Sequence, residues 1–402
     1  MKKQAEVLWQ TCLGTKERAD AFAVLLLTVS VFLSFYTAIA ASLVIAVAVM
    51  LDDGRRRRLL AIPYARLLLG FLIVPFFVAA MYNNLRGILV SFVLYAIIIC
   101  GLLLRSVMTR ALFGRMLDWA CCCSVGCALL AVGQKIVYWP SMPEYRSVST
   151  FTNANYYGAV VEIMLLVCFY RFQTNRQSRG WYLVAAAANL CGLYLTGSMS
   201  SAIAACAGIF VYLLLQRRRS LLILFCVLAA AAAALIMYFP ALFPRVENVD
   251  TAWDQRFSIW ITALHGILEH PLLGQGASAY EMIAPQLGGY LTYHCHNLLL
   301  DTLLNFGFVG LSVFLMFGLQ QARLLWLRFR NRIGRPSNVL MTAAMAAVLV
   351  HGVTDVTVFW SQTSLLLLMV FSSLSVGAEF LERELSPRPR RLASGSAVRL
   401  TR

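Results

Sequence analysis

The sequence predicts an all-α, polytopic membrane protein with about twelve transmembrane helices, and three observations lead there. Of the 402 residues, 60% are hydrophobic and only 13% are charged, where a soluble domain carries roughly a quarter of its residues as charges. The mean hydropathy is +0.74. The charges are clumped, and the apolar runs left between them are long enough to cross a bilayer as helices. These runs are continuous and do not alternate with period two, which excludes an outer-membrane barrel.

The predicted spans fall at about 20–35, 37–51, 66–82, 87–104, 112–132, 156–170, 181–196, 200–215, 220–239, 296–319, 338–356 and 362–379. The first two come from one run, 21–51, which would make about 46 Å of helix at 1.5 Å per residue, too long for one ordinary span. A tight turn near Ser34–Thr37 is expected to divide it. Residues 1–380 form a single transmembrane domain, and 381–402 form a short, basic cytoplasmic tail. With the N-terminus inside, 29 of the 34 Lys and Arg residues fall on the cytoplasmic side. Only Arg86, Lys135, Arg146, Arg245 and Arg256 fall outside. This is a strong positive-inside bias. The runs GRRRR (54–58), QRRR (216–219), RNRIGR (330–335) and PRPRR (387–391) are therefore topology signals, and the net charge of +16 carries no nucleic-acid role. The eleven cysteines lie mostly inside apolar runs and include no CxxC pair, so they act as small hydrophobes. The charged start leads straight into the first apolar run, which predicts no cleavable signal peptide.

Two external loops are long, about 133–155 and about 240–295, so chemistry is expected at the outer face. Within the second loop, Thr251 and Asp254 suggest an N-terminal cap and Pro271 a stop, giving an interfacial helix at about 252–269. At 100° per residue, Trp253, Phe257, Trp260, Leu264, Ile267 and Leu268 share one face. Gln255, Ser258, Thr262, His265 and Glu269 share the other. Such a helix can lie flat on the bilayer. Arg256 falls at the edge of the apolar stripe, at phosphate depth. There it either touches lipid headgroups or clamps a lipid-linked phosphate.

The stretch HCHNLLLDTLLNFGFVGL (294–311) follows. Its histidines sit where water meets bilayer, and imidazole is the side chain suited to taking a proton near neutral pH. Asn297, Asp301 and Asn305 recur at four-residue spacing and form a polar stripe descending into the membrane. Such groups are costly there unless they face a cavity or one another. Gly307 and Gly310 leave room for a neighbouring helix. A metal site at His294 and His296 lacks further ligands in the sequence, so none is expected. His351 and Asp355, one turn apart, either join this site or satisfy each other.

Histidine, asparagine, nine residues, glycine, two residues, glycine resembles the pattern of the bacterial O-antigen ligase and polysaccharide polymerase superfamily. Here it is His296-Asn297 followed by Gly307 and Gly310. Three further stretches resemble the same family in the same order: STFTNANYYGA (149–159), LTGSMSSAIA (195–204) and RFSIWITALHGILEHPLLGQGASAY (256–280). The resemblance covers roughly residues 140–320. It implies a multi-span, GT-C-like membrane glycosyltransferase of the cell envelope, set in the bacterial cytoplasmic membrane with both termini inside. It would move a glycan from an undecaprenyl-diphosphate carrier to a glycan or lipid acceptor, without cofactor or metal. The resemblance makes His296 the base and Arg256 a diphosphate clamp. Asn297, Asp301, His294, Asn153, Asn155, Gly307 and Gly310 support them. The chain departs from the family at Met199, where an arginine is frequent; Arg146 and Arg245 are the candidates to replace it as diphosphate ligands. It departs again at Asn305, where an acidic residue is frequent. A transporter or flippase of lipid-linked sugars is the competing class, but no internal repeat supports it, and the polar cluster lies at the outer face instead of the midplane.

Overall fold

The computed structural model describes residues 16–239, 249–377 and 381. Arg245, most of the basic tail 381–402 and the first fifteen residues therefore lie outside the described residues. Within them the chain is all-helical, with no strand, and its apolar helices make it a membrane protein.

The first apolar run divides at Ser34 into α1 (Lys16–Leu33) and α2 (Phe35–Leu51). Ser34 caps α2 by accepting from the Thr37 N–H, and the Thr37 hydroxyl accepts from the Ser34 N–H. This reciprocal pair satisfies two donors that the helix start would otherwise leave bare. At Asp52 the chain bends by 98° into α3 (Asp53–Leu60), which carries the GRRRR run and returns Arg55 to Asp20 at 2.7 Å. The predicted span 66–82 is broken into α4 (Ala65–Phe71) and α5 (Val74–Met81). Pro75 sits in the first turn of α5; it has no N–H to continue a helix from α4.

The main bundle follows: α6 (Leu85–Val107), α7 (Arg110–Tyr138), α8 (Ala154–Thr174), α9 (Arg179–Thr196), α10 (Met199–Leu215) and α11 (Arg219–Tyr238). Then come α12 (Val249–Glu269), the short α13 (Ala279–Ile283), α14 (Leu298–Arg330), α15 (Arg335–His351) and α16 (Ser361–Phe371). Helix α8 is the axis of the bundle. It is buried along nearly all its length and packs on α7, α9, α10, α15 and α16. By contrast α11 buries no residue, as suits an apolar helix whose solvent is lipid.

Four described helices, α6, α7, α11 and α14, are long and apolar enough to cross a membrane, or up to five spans with the bent pair α2–α3. The other predicted spans correspond to shorter or more polar helices. Three of them, α2, α10 and α15, have 17 residues each, and α1 begins with Lys16, Glu17, Arg18 and Asp20.

Helix α12 already runs at Val249, so Thr251 lies inside it and does not cap it. Its packed face is Ile259, Thr262, Ala263 and Ile267, set against α13 and Leu304 of α14. Thr262 therefore belongs to the buried side, not to a wet one. Of the expected apolar stripe only Ile267 is buried; Trp253, Phe257, Leu264 and Leu268 are exposed and form a second, outward apolar face.

Helix α14 is broken at Gly307, whose φ of 63° and ψ of −171° are not helical. The loop 271–276 occupies the break. Leu304 and Asn305 carbonyls accept from Gln275 and Gly276 N–H at 3.0 Å each, while Phe308 and Val309 N–H donate to Pro271 and Leu272 carbonyls at 2.8 and 3.0 Å. Four backbone groups freed by the kink are thus repaired by another segment. A loop, not the expected helix, fills the space at Gly307; Gly310 does face a helix, through Phe71 of α4.

Candidate functional site

Three loop ends and one helix start meet at one end of the bundle, and Asp355 is their common partner. It lies between α15 and α16 and is buried. Its Oδ1 is 2.9 Å from His294 Nε2 and 3.4 Å from His296 Nδ1. Its Oδ2 accepts from Asn155 Nδ2, at the start of α8, at 3.1 Å. Arg146 donates to Asn155 Oδ1 at 2.6 Å and to the Thr196 carbonyl at 2.6 Å. That second bond docks Arg146 on the TGSM turn, where Gly197 adopts φ 55° and Ser198 caps α10. Arg256 donates to the Thr354 carbonyl at 3.3 Å, one residue from Asp355, and stands over the Trp253 ring at 5.7 Å.

The two histidines have different surroundings. His294 is buried, with Tyr156 Oη 3.4 Å away, whereas the His296 side chain keeps 22% of its surface. Their rings are 4.2 Å apart, and His296 Nε2 lies 3.3 Å from Thr292 Oγ1. The His296 backbone has φ 48°, a left-handed conformation that costs a non-glycine residue on the order of 1 kcal/mol. Asn297, next in sequence, locks the turn by capping α14 at Leu299 and Leu300 N–H, both at 3.0 Å, and by donating to the Val353 carbonyl at 3.1 Å. Asn153 is likewise the cap of α8, accepting from Asn155 N–H at 2.8 Å.

The polar stripe of α14 is satisfied from its own loop. Asp301 accepts from the Cys295 N–H at 3.0 Å and from Asn305 Nδ2 at 2.7 Å, and Asn305 Oδ1 accepts from the Ala279 N–H at 3.0 Å. His351 and Asp355 do not satisfy each other. His351 pairs instead with Glu162 of α8 at 2.8 Å, both fully buried, and Asp355 joins the histidines. Asp355 was visible in the sequence as an acid among apolar residues, which in a membrane protein marks a site. Its partners were not visible, being 59 to 200 residues away. Glu162 gave no pattern at all, and Tyr156 showed only as part of the STFTNANYYGA stretch.

Histidine and carboxylate are also zinc ligand types, and donor atoms of His294, His296 and Asp355 lie within 4.8 Å of one another. The third donor missing from the sequence is therefore supplied by folding, although the three groups are already engaged with each other.

Charge is arranged to keep the carboxylate ionised. Burial alone would raise the Asp355 carboxyl, but His296, His294 and His351 outweigh it and hold it well below the usual carboxylate range. Burial pushes His294 below its ordinary 6.5, against the pull of Asp355. Both folded values lie below the unfolded ones, so the unfolded chain binds more protons as pH falls. The stability linked to these groups is complete above about pH 6.5, and is lost first through His294 and then, in stronger acid, through Asp355. The His294 contribution shows as a difference: the melting temperature of wild type minus that of His294→Gln in detergent should be constant above pH 7 and fall progressively below 6.5. A difference that grows on acidification would contradict this.

Residues 183–315 match the family model of O-antigen ligase. The resemblance is thereby borne out over that stretch: the chain carries a region similar to the O-antigen ligase family, within an integral membrane protein. The match spans α9 to the first half of α14, and so includes Arg256, His294, His296, Gly307 and Gly310. Arg146, Asn155 and Asp355 come from outside it. No curated protein matches the chain.

Proposed function

We propose that this protein transfers a glycan from an undecaprenyl-diphosphate carrier to a hydroxyl of a glycan or lipid acceptor, at the outer face of the bacterial cytoplasmic membrane. The twelve-span, GT-C-like plan with both termini inside belongs to this proposal, as does α12 lying on the outer surface with its second apolar face in the lipid. The carrying observation is Asp355, which gathers both histidines on one carboxylate while Arg256 bonds the neighbouring Thr354 carbonyl and Arg146 bonds Asn155, another partner of that carboxylate.

In this reading His296 is the base. It is the more exposed of the pair, and Asp355 faces its Nδ1 at 3.4 Å, so Nε2 is the nitrogen that takes the acceptor's proton. The acceptor hydroxyl gives its proton to Nε2 as its oxygen attacks the anomeric carbon. The bond from that carbon to the diphosphate oxygen breaks, and the electron pair leaves on the diphosphate. Arg256 and Arg146 stabilise the charge developing there. Direct attack inverts the anomeric centre, and no metal is required by the steps. Arg146 takes the part of the arginine absent at Met199, since its guanidinium reaches the same turn. His294 fixes Asp355 and is fixed by it.

The test is transfer of labelled glycan from undecaprenyl diphosphate by the purified protein in detergent, with Arg256→Ala beside wild type. Arg256→Ala should lose about 10²–10³-fold in rate, as removal of a group aimed at transition-state charge does. Movement of the lipid-linked sugar across vesicles without a new glycosidic bond would instead favour a transporter. Asp355→Asn should keep the geometry but weaken the base, lowering kcat by up to about 10⁴-fold with little change in KM. Equal kcat for Asp355→Asn and wild type would remove the carboxylate from the mechanism.

A further inference from the structure

The end of the bundle far from the histidine cluster carries a group of arginines that the proposed reaction does not use. Helix α10 starts at the turn held by Arg146, and α15 ends at His351, close to Asp355. Each has 17 residues, so their other ends lie about 25 Å away at 1.5 Å per residue. There the α10–α11 turn meets the α14–α15 turn, and Arg335 donates to the Leu215 carbonyl at 3.1 Å. Three adjoining hollows of about 370, 350 and 600 Å³ open at this place, and Arg217 lines all of them. Arg218 and Arg335 each line two, and Arg219 and Arg332 one each. Leu213, Leu214 and Leu222 share the second hollow with the arginines, and Phe329 shares the third.

Other arginines of the chain are paired: Arg55 and Arg58 with Asp20, and Arg171 with Asp118. None of the five arginines at the hollows has a carboxylate partner among the described residues. Arg217 and Arg332 hold φ of 58° and 55°, left-handed conformations that glycine or asparagine adopts at lower cost. Arg218 and Arg219 stand at the start of α11, where no side chain caps the free N–H groups and the helix dipole favours an anion. Helix α11 itself buries no residue and packs chiefly on α10, so its flank is open to hydrocarbon.

We propose that this surface binds one anionic phospholipid, in the leaflet opposite the histidine cluster. Its phosphate lies among Arg217, Arg218 and Arg335, and its acyl chains run along Leu214 and Leu222. The proposal is independent of the glycosyltransferase reading and needs only the membrane setting. A positive-inside bias asks for cations in loops. It does not ask that turns 120 residues apart bring them together without a carboxylate. Charge complementarity therefore selects an anion, and the apolar residues in the same hollows select one that carries hydrocarbon. Basic pockets between spanning helices are a setting in which anionic headgroups bind. A zwitterionic headgroup brings its own ammonium against the arginines and loses that advantage. The bound lipid ties α11 to the α14–α15 turn, a second attachment for a helix that the protein buries nowhere.

The experiment follows lipid binding by native mass spectrometry of the whole protein, delipidated in a neutral detergent. The probes are dioleoylphosphatidylglycerol, dioleoylphosphatidylcholine with the same chains, and inorganic phosphate. Phosphatidylglycerol should bind about tenfold or more tighter than phosphatidylcholine, through the engaged arginines. Arg217→Asn/Arg218→Gln should lower that preference by about tenfold, and asparagine suits the left-handed turn, so the fold is kept. Arg332→Asn is a second variant of the same kind and should weaken phosphatidylglycerol in the same direction. Arg66→Gln/Arg110→Gln removes as much charge from exposed residues that line none of the hollows, and should leave the preference intact. Equal binding of the two lipids by wild type, or an equal loss in the Arg66/Arg110 pair, overturns the site. Displacement of the phospholipid by millimolar phosphate would make this a free-anion site and overturn the lipid assignment.

Discussion

Replacing His296 with alanine should lower the rate of glycan transfer by about 10²–10⁴-fold, the range that a positioned general base supplies. The loss should fall on kcat, because in the proposed mechanism the imidazole acts on the acceptor proton and not on the carrier. His294→Ala should cost less and act indirectly, since His294 is buried and its 2.9 Å contact is with Asp355. Steady-state transfer with both variants decides the matter. If His294→Ala abolishes turnover and His296→Ala keeps it, the roles of the two histidines must be exchanged. Equal activity of His296→Ala and wild type would end the mechanism.

Gly307→Val should prevent the native fold or weaken it severely. The backbone there adopts φ 63° and ψ −171°, a region open essentially to glycine alone, and forcing another residue into it costs about 3 kcal/mol. A Cβ would also lie 2.2 Å from the Leu272 carbonyl oxygen, in the loop that repairs the broken helix. That loop cannot retreat without giving up its bonds to Leu304, Asn305, Phe308 and Val309. Folded yield and melting in detergent measure the effect. Gly318→Ala, where nothing lies within 4 Å, is the matched control and should be neutral. A Gly307→Val protein that melts like wild type would mean that the kink is dispensable.

The glycines show how far a pattern can be carried. Two glycines three apart in an apolar helix suggest close approach of a neighbour, and Gly310 against Phe71 fits this. The sequence held no sign that Gly307 breaks the helix, because its mates in the exchange, Pro271 to Gly276, belong to another motif. Folding thus joins two motifs that look independent in the chain. Helix α12 offers a similar lesson. Its periodicity indicates one apolar face and one wet face, yet Ile259, Thr262, Ala263 and Ile267 pack inward while Trp253, Phe257, Leu264 and Leu268 are left outward. Periodicity reports where apolar atoms lie, and a helix at an interface has two apolar neighbours, protein and lipid.

By itself the sequence determined the class of the protein, because hydrophobic runs and clumped arginines are local properties that a bilayer enforces. It also determined the chemical vocabulary of the site: His296 beside Asn297, Arg256 on a loop helix, and a polar stripe on α14. The tertiary structure decided which of these groups meet. It set Asp355 against both histidines, carried Arg146 to the turn that ends in Met199, and sent His351 to Glu162 instead of Asp355. Each choice rests on buried polar groups finding partners across long stretches of chain. In a low-dielectric interior an unmet carboxylate or imidazole is expensive, and only the folded arrangement settles which partner is within reach.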